Sequence, residues 1–249
     1  MLGKLLLTGL LTISTLLTHA EAVNLKGSDD FPIFGEFVSA SNSSTKGVLM
    51  LHQCNADKTM YEALAKQLAS SGISSMSIDF RGFGQSKVKG LSISDIRKKA
   101  TSRKHYFEML DELGISGHRE SDVEIAYQYL VKQLGSADNI SFVGTSCGGT
   151  QAVLLAQKHK PTSFIFFSSG MSDDTQKIFN NMSDIPALFI AAQDDSNSYK
   201  SLNKAFLESK SPASRMISYK GTGHGRPLFK EDHTLQTVMV EWFAEKANQ

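Results

Sequence analysis

What this sequence lacks most plainly is a charge imbalance: 26 Lys and Arg face 25 Asp and Glu across 249 residues, a net charge of +1. A near-neutral surface gives no electrostatic case for nucleic acid or an anionic membrane as partner. There is no H-E-x-x-H and no cluster of Cys and His, so no metal constellation is apparent. The phosphate-cradling G-x-x-x-x-G-K-[ST] is absent as well, and Gly82-Phe83-Gly84 has the wrong spacing and setting for a dinucleotide loop. No cofactor is therefore expected. Cysteine is scarce: Cys54 and Cys147 are the two present, an even count that permits one disulfide in an exported protein or leaves two free thiols. Long apolar runs are also missing. Leu5 to Leu17 is about 13 residues, short of the ~20 that span a bilayer.

That short run follows Lys4 and precedes Ala20-Glu21-Ala22, an A-x-A cleavage pattern, so residues 1–22 read as a secretory signal peptide ending before Val23. An exported protein, periplasmic or secreted, with no stable membrane insertion after cleavage is the expectation. Lys4 and Glu21 leave together, so the net charge is unchanged. Residues 23–249 then suffice for one domain with a sizeable core. No repeat, low-complexity tract or long linker interrupts them, and Ser41-Asn42-Ser43-Ser44-Thr45 reads as a polar loop between strands.

What is present is alternation. Short apolar runs at 48–51, 75–78, 140–143, 164–167 and 187–190 suit parallel strands buried on both faces, and a more mixed run at 215–219 suits an edge. Between them lie helical stripes: Met60, Leu64 and Leu68; Val123, Ala126, Tyr127, Leu130 and Leu134; and Leu235, Val238, Met239, Trp242 and Phe243. Residues 23–26 and 33–38 flank Asp29-Asp30 as an antiparallel entry hairpin. The pattern predicts an α/β fold with a mostly parallel central sheet and helices on both faces. Ligands bind such sheets at the carboxyl ends of the strands, so chemistry should sit in the loops that follow them.

One such loop is Gly144-Thr145-Ser146-Cys147-Gly148, which matches the G-x-S-x-G nucleophile elbow between a strand and a helix. A Cβ at Gly144 or Gly148 would crowd so tight a turn. Strand 187–190 leads to Asp194-Asp195, and strand 215–219 to Gly221-Thr222-Gly223-His224-Gly225. Nucleophile, acid and histidine thus run in the order Ser…Asp…His. Serine needs a neighbouring base to become a nucleophile, and imidazole, titrating near neutrality, can take and return its proton. A carboxylate then fixes the imidazole tautomer.

With these segments in this order, the chain from about residue 23 to 246 resembles the α/β-hydrolases, in the style of the small dienelactone-hydrolase-like esterases. The resemblance implies Ser146 as nucleophile, His224 as general base and Asp195 as acid, nine residues after Pro186 where the family's P-x-L…G-x-x-D segment places it. Ala192 stands where that segment usually has Gly. Asp194, Asp173 and Asp174 are the alternative acids. The oxyanion hole would be the backbone N–H of Cys147 with that of Cys54, or of Gln53, from the loop after the first parallel strand. Two donors converging on one oxygen would bring Cys54 and Cys147 close enough for a disulfide stapling that loop to the elbow. His52 should brace the same loop. Arg81 and Asp79 should hold theirs together, while His105, His118, His159 and His233 read as surface residues.

The implied activity is an exported serine hydrolase cleaving an ester or related acyl bond of a small-molecule substrate through an acyl-enzyme. A peptidase, lipase or thioesterase on the same triad, or a binding protein on this scaffold, are the alternatives. Serine in place of an aspartate nucleophile argues against haloalkane or epoxide hydrolysis. The gap between residues 167 and 187 leaves no room for a large cap domain. Residues 88–120 are either pocket wall, through Phe107, Met109, Leu110 and Leu113, or an ordinary crossover.

Overall fold

Every strand that reads as a continuous apolar run is packed on both faces. A computed structural model describes residues 19–42 and 44–247. The strands are β1 (Ala20–Lys26), β2 (Pro32–Val38), β3 (Gly47–Leu51), β4 (Ser74–Ile78), β5 (Ile140–Thr145), β6 (Phe164–Phe167), β7 (Ala187–Ala192) and β8 (Arg215–Tyr219). They form one sheet in the order β1-β2-β4-β3-β5-β6-β7-β8. β1 and β2 form the antiparallel hairpin, β2 pairs antiparallel with β4, and β3 to β8 are mutually parallel. The mixed run at β8 is indeed an edge, only partly covered.

Side chains alternate across this sheet with period two. Leu49, Leu51, Phe164 and Phe166 enter one core, and Val48, Met50, Ile165 and Phe167 the other. The first core is roofed by α4 (Arg119–Leu134), α5 (Cys147–Ala156), α6 (Asp173–Asn180) and α7 (Ser196–Glu208). The second is roofed by α1 (Glu62–Ser70), the short α8 (Leu228–Glu231) and α9 (Leu235–Lys246). All five stripe residues of α4 are buried. In α9, Val240 is buried and Val238 only half so; the helix packs on α1 and shares the second core with the sheet.

The segment after β4 holds α2 (Ile93–Lys99) and α3 (Arg103–Glu112). Ile93, Ile96, Leu110 and Ile115 join the first core, Met109 and Leu113 pack against it, and Phe107 is exposed. Leu110 is thus a core residue and Phe107 a surface one. The expected leader lies outside the described residues except for 19–22, as does Ser43 of the polar loop. Cleavage after Ala22 would cut within β1, yet the three strand residues it removes are exposed, and the buried pair Val23 and Leu25 stays. Among the described residues no helix is long and apolar enough to cross a membrane.

Candidate active site

β5 ends at Thr145, α5 begins at Cys147, and the residue between them takes the strain. Ser146 has φ 53° and ψ −120°, a conformation that a side chain rarely adopts. Neighbouring glycines permit it. A Cβ on Gly148 would stand 2.1 Å from the Leu51 carbonyl oxygen, and one on Gly144 2.5 Å from the Gly148 backbone. Beneath the turn, buried Tyr61 donates to the Leu51 carbonyl at 3.1 Å and hydrogen-bonds the Thr145 hydroxyl, tying β3 to the elbow.

Ser146, His224 and Asp195 meet at the carboxyl edge of the parallel strands. His224 Nε2 lies 2.8 Å from Ser146 Oγ, and His224 Nδ1 lies 2.7 Å from Asp195 Oδ2. A carboxylate only accepts, so Nδ1 carries the proton and Nε2 faces the serine hydroxyl as acceptor. Asp195 is the residue that caps α7, yet it makes no side-chain cap bond and turns to His224 instead. Asp194 is exposed, and its N–H donates to the Gly221 carbonyl. Asp173 and Asp174 are exposed in the first turn of α6, where Asp174 pairs with Lys177.

The histidine loop is held by contacts that no motif announces. Ser168, at φ 48° just past β6, accepts from the Gly225 N–H at 2.9 Å. Gln53 Oε1 accepts from the Arg226 N–H at 2.8 Å, and Gln53 Nε2 donates to the Asn55 side chain. Gly225, at φ 67°, has no space for a Cβ against that Gln53 oxygen. Both residues follow strands, but a lone Ser or Gln there carries no spacing signal.

On the other side of the elbow, Cys54 and Cys147 are joined by a disulfide, Cα to Cα 5.8 Å. Cys147 is the first residue of α5, so its N–H has no partner within the helix. Neither the Gln53 nor the Cys54 N–H donates to a protein acceptor among the described residues. Beside them a cleft of about 290 Å³ opens between residues 54–57, residues 82–84 and the start of α2.

His52 braces this loop. Its Nε2 accepts from the Phe80 N–H at 3.0 Å, so Nδ1 carries the proton and donates to the Gln53 carbonyl at 2.7 Å. The ring is fully buried against Phe80 and Phe83, and burial pulls its pKa from 6.5 down to about 4. Below pH 6.5 the unfolded chain takes up a proton here that the folded chain refuses until about pH 4. Stability from this group is therefore complete above 6.5 and falls as pH drops through that window, by about 3 kcal/mol. Urea unfolding at pH 7 and pH 4 should show wild type losing that much more than His52→Asn. Equal losses in the two proteins would contradict it.

Of the two residues expected to hold the glycine-rich loop together, Asp79 does so from within it, while Arg81 instead ties the loop to the hairpin and to α4. Asp79 accepts from the Lys58 and Gln85 N–H groups, each at 2.8 Å, and from Lys58 Nζ. Buried Arg81 spans Asp29 in the hairpin turn and Asp122 on α4, and its hydrogen bonds hold the Asp29 carboxyl well below the usual carboxylate range. His159 departs from the surface reading. It stacks on Tyr127 at 4.2 Å and pairs with Glu124 at 2.6 Å, because α4 passes over it. Among the described residues no group of three His, Cys, Asp or Glu could hold a metal ion.

Compared with known proteins, the sequence family described as serine aminopeptidase, S33, matches residues 42–192, more than half of the chain. The match takes in Cys54, Ser146 and Cys147 and stops short of Asp195 and His224. No curated protein sequence matches the chain. Among solved structures, dienelactone hydrolase from Anabaena variabilis superposes with a TM-score of 0.65 at 16% identity, covering 92% of this chain and 96% of that one. A cold-adapted esterase from an Arctic intertidal metagenomic library gives 0.64 at 17%, covering 92% and 94%. An esterase from Exiguobacterium antarcticum gives 0.59 at 13%, covering 90% and 99%. At such identities the likeness is one of fold.

Proposed function

The chain belongs to the serine aminopeptidase, S33, family and has the α/β-hydrolase fold, and from that premise we propose that it is an exported serine hydrolase of carboxylic esters or related acyl compounds. The observation that carries the reading is the unbroken chain from Ser146 Oγ through His224 to Asp195, at 2.8 and 2.7 Å. In this reading Ser146 attacks the substrate carbonyl while His224 Nε2 accepts its proton. Asp195 holds the imidazole in the receptive tautomer and stabilises the imidazolium. The charge developing on the carbonyl oxygen is met by the N–H groups of Cys147 and Cys54, each such donor being worth ~3–4 kcal/mol. The imidazolium then protonates the leaving group, and water activated by the same ring releases the acyl group from Ser146.

Export is supported by the leader pattern and by the disulfide, which persists in oxidising compartments. Treating the protein with a fluorophosphonate probe and mapping the adduct by mass spectrometry tests the reading. The expected result is one adduct, on Ser146, together with turnover of short p-nitrophenyl esters. A folded protein that takes no label, or takes it elsewhere, overturns it. Turnover of aminoacyl p-nitroanilides but not of esters would move the assignment to a peptidase on the same triad.

A further inference from the structure

We propose that the Cys54–Cys147 disulfide is a positioning element of the oxyanion hole, fixing the distance between its two donors, so that the bridged enzyme is active and the reduced enzyme stays folded but loses kcat. The inference rests on the serine-hydrolase reading above and concerns how that site is assembled.

The starting point is where backbone pairing stops. β3 and β5 run parallel in a constant register, from Gly47 opposite Ile140 to Leu51 opposite Gly144. Past that last pair the chains part. β5 turns through Ser146 into α5, and β3 runs into the loop that carries Gln53 and Cys54. The disulfide joins the residues three places beyond the last pair on each side, with a sequence separation of 93, the same offset as the ladder. It therefore continues the register as a covalent bond where hydrogen bonding has ended.

The two sides of this bond are not equally fixed. The elbow is held by Ser146 N–H to the Phe167 carbonyl at 2.9 Å, by Gly149 N–H to the Ser146 carbonyl at 3.0 Å, and by Gly148 pressed against Leu51. On the Cys54 side the anchors among the described residues hold the neighbours of Cys54 to other segments: His52 to the Phe80 N–H, the turn from Ala56 N–H to the Gln53 carbonyl, and the Gln53 side chain to the Arg226 N–H. Those anchors set the path of the loop, and none of them ties Cys54 to the elbow. The sulfur bridge does. An oxyanion hole works only if its donors already stand where the charge will develop. Here that requirement falls on two residues from separate elements, and they are the two cysteines.

The fold has other means of support. Both faces of the sheet carry extensive apolar cores, and neither cysteine is a fully buried core member. Reduction by a dithiol delivers two electrons and two protons to the S–S bond, giving two thiols while the dithiol closes its own disulfide. The released Cys54 can then drift, and its N–H leaves the oxyanion position.

The test compares the oxidised protein, the protein reduced with dithiothreitol, and the Cys54→Ala/Cys147→Ala variant. Steady-state hydrolysis of p-nitrophenyl acetate, affinity for a trifluoromethyl ketone and near-UV circular dichroism are the readouts. A displaced donor is expected to cost about 10²-fold in kcat and a similar factor in ketone affinity, with KM changed by less than about threefold. The near-UV spectrum should be retained, and reoxidation should restore the rate. Reduced protein that keeps the oxidised kcat overturns the proposal while the serine-hydrolase reading stands. Loss of the near-UV spectrum together with activity in both reduced and variant protein also overturns it, since the bridge would then hold the fold. Failure of the oxidised protein to label at Ser146 removes the reading itself, and this proposal with it.

Discussion

Alanine at position 146 is expected to lower kcat for ester hydrolysis about a millionfold while leaving the fold as it is. The magnitude follows from the division of labour. In the proposed mechanism no acyl-enzyme forms without Oγ, and the imidazole of His224, 2.8 Å away, loses the group it would activate. What remains is water attacking a carbonyl already polarised by backbone donors, a route worth roughly 10³–10⁴ over the uncatalysed reaction. The fold survives because alanine keeps the Cβ. The positive φ of this residue, 53°, already carries a side chain and its strain in the wild type, so the substitution adds none. His224→Ala should cost almost as much, and the double variant no more than either single, since the groups act as a unit. Steady-state assays on the three proteins, with thermal melts alongside, check this. A double variant whose loss is the product of the single losses would mean that the two residues act independently.

The framework that presents Ser146 is legible in the sequence because of one physical regularity. Parallel strands buried on both faces read as near-continuous apolar runs; those at 48–51, 164–167 and 187–190 are apolar throughout, and the one polar residue of 140–143, Ser141, is buried with its hydroxyl bonded to that of Ser163. The elbow was readable because glycines flank it for a reason of space: Leu51 and the Gly148 backbone leave no volume for a Cβ. Single contacts leave no such pattern. Ser168 and the Gln53 side chain hold the histidine loop, but a polar residue after a strand is common and its partner is far off in sequence. His159 read as a surface residue because nothing local reveals that Tyr127 and Glu124, more than thirty residues earlier, close over it. The cysteines were a matter of register. The bridge itself is expected from the oxyanion donors that the resemblance implies, and the structure adds the pairing of β3 and β5 at an offset of 93 that sets Cys54 and Cys147 opposite each other.

Replacing Asp195 with asparagine is expected to lower kcat about 10⁴-fold, whereas Asp194→Asn should leave it close to wild type. The neighbouring acids differ in what they touch. Asp195 Oδ2 sits 2.7 Å from His224 Nδ1, while Asp194 is exposed and makes no side-chain hydrogen bond among the described residues. An asparagine at 195 can present an N–H to Nδ1. That favours the tautomer with its proton on Nε2, which faces Ser146 Oγ and can then no longer accept from it. The same substitution separates catalysis from architecture. Asp195 occupies the N-cap position of α7 without making a side-chain cap bond, so local helix stability is forgone to orient the histidine. Released from His224, asparagine can turn to the helix, and asparagine is as good a cap as aspartate. The variant should therefore melt at or above the wild-type temperature while almost inactive. A deep loss of activity accompanied by an equally clear loss of stability would instead make Asp195 a structural residue, and comparable kinetic losses in the two variants would reopen the choice between 194 and 195.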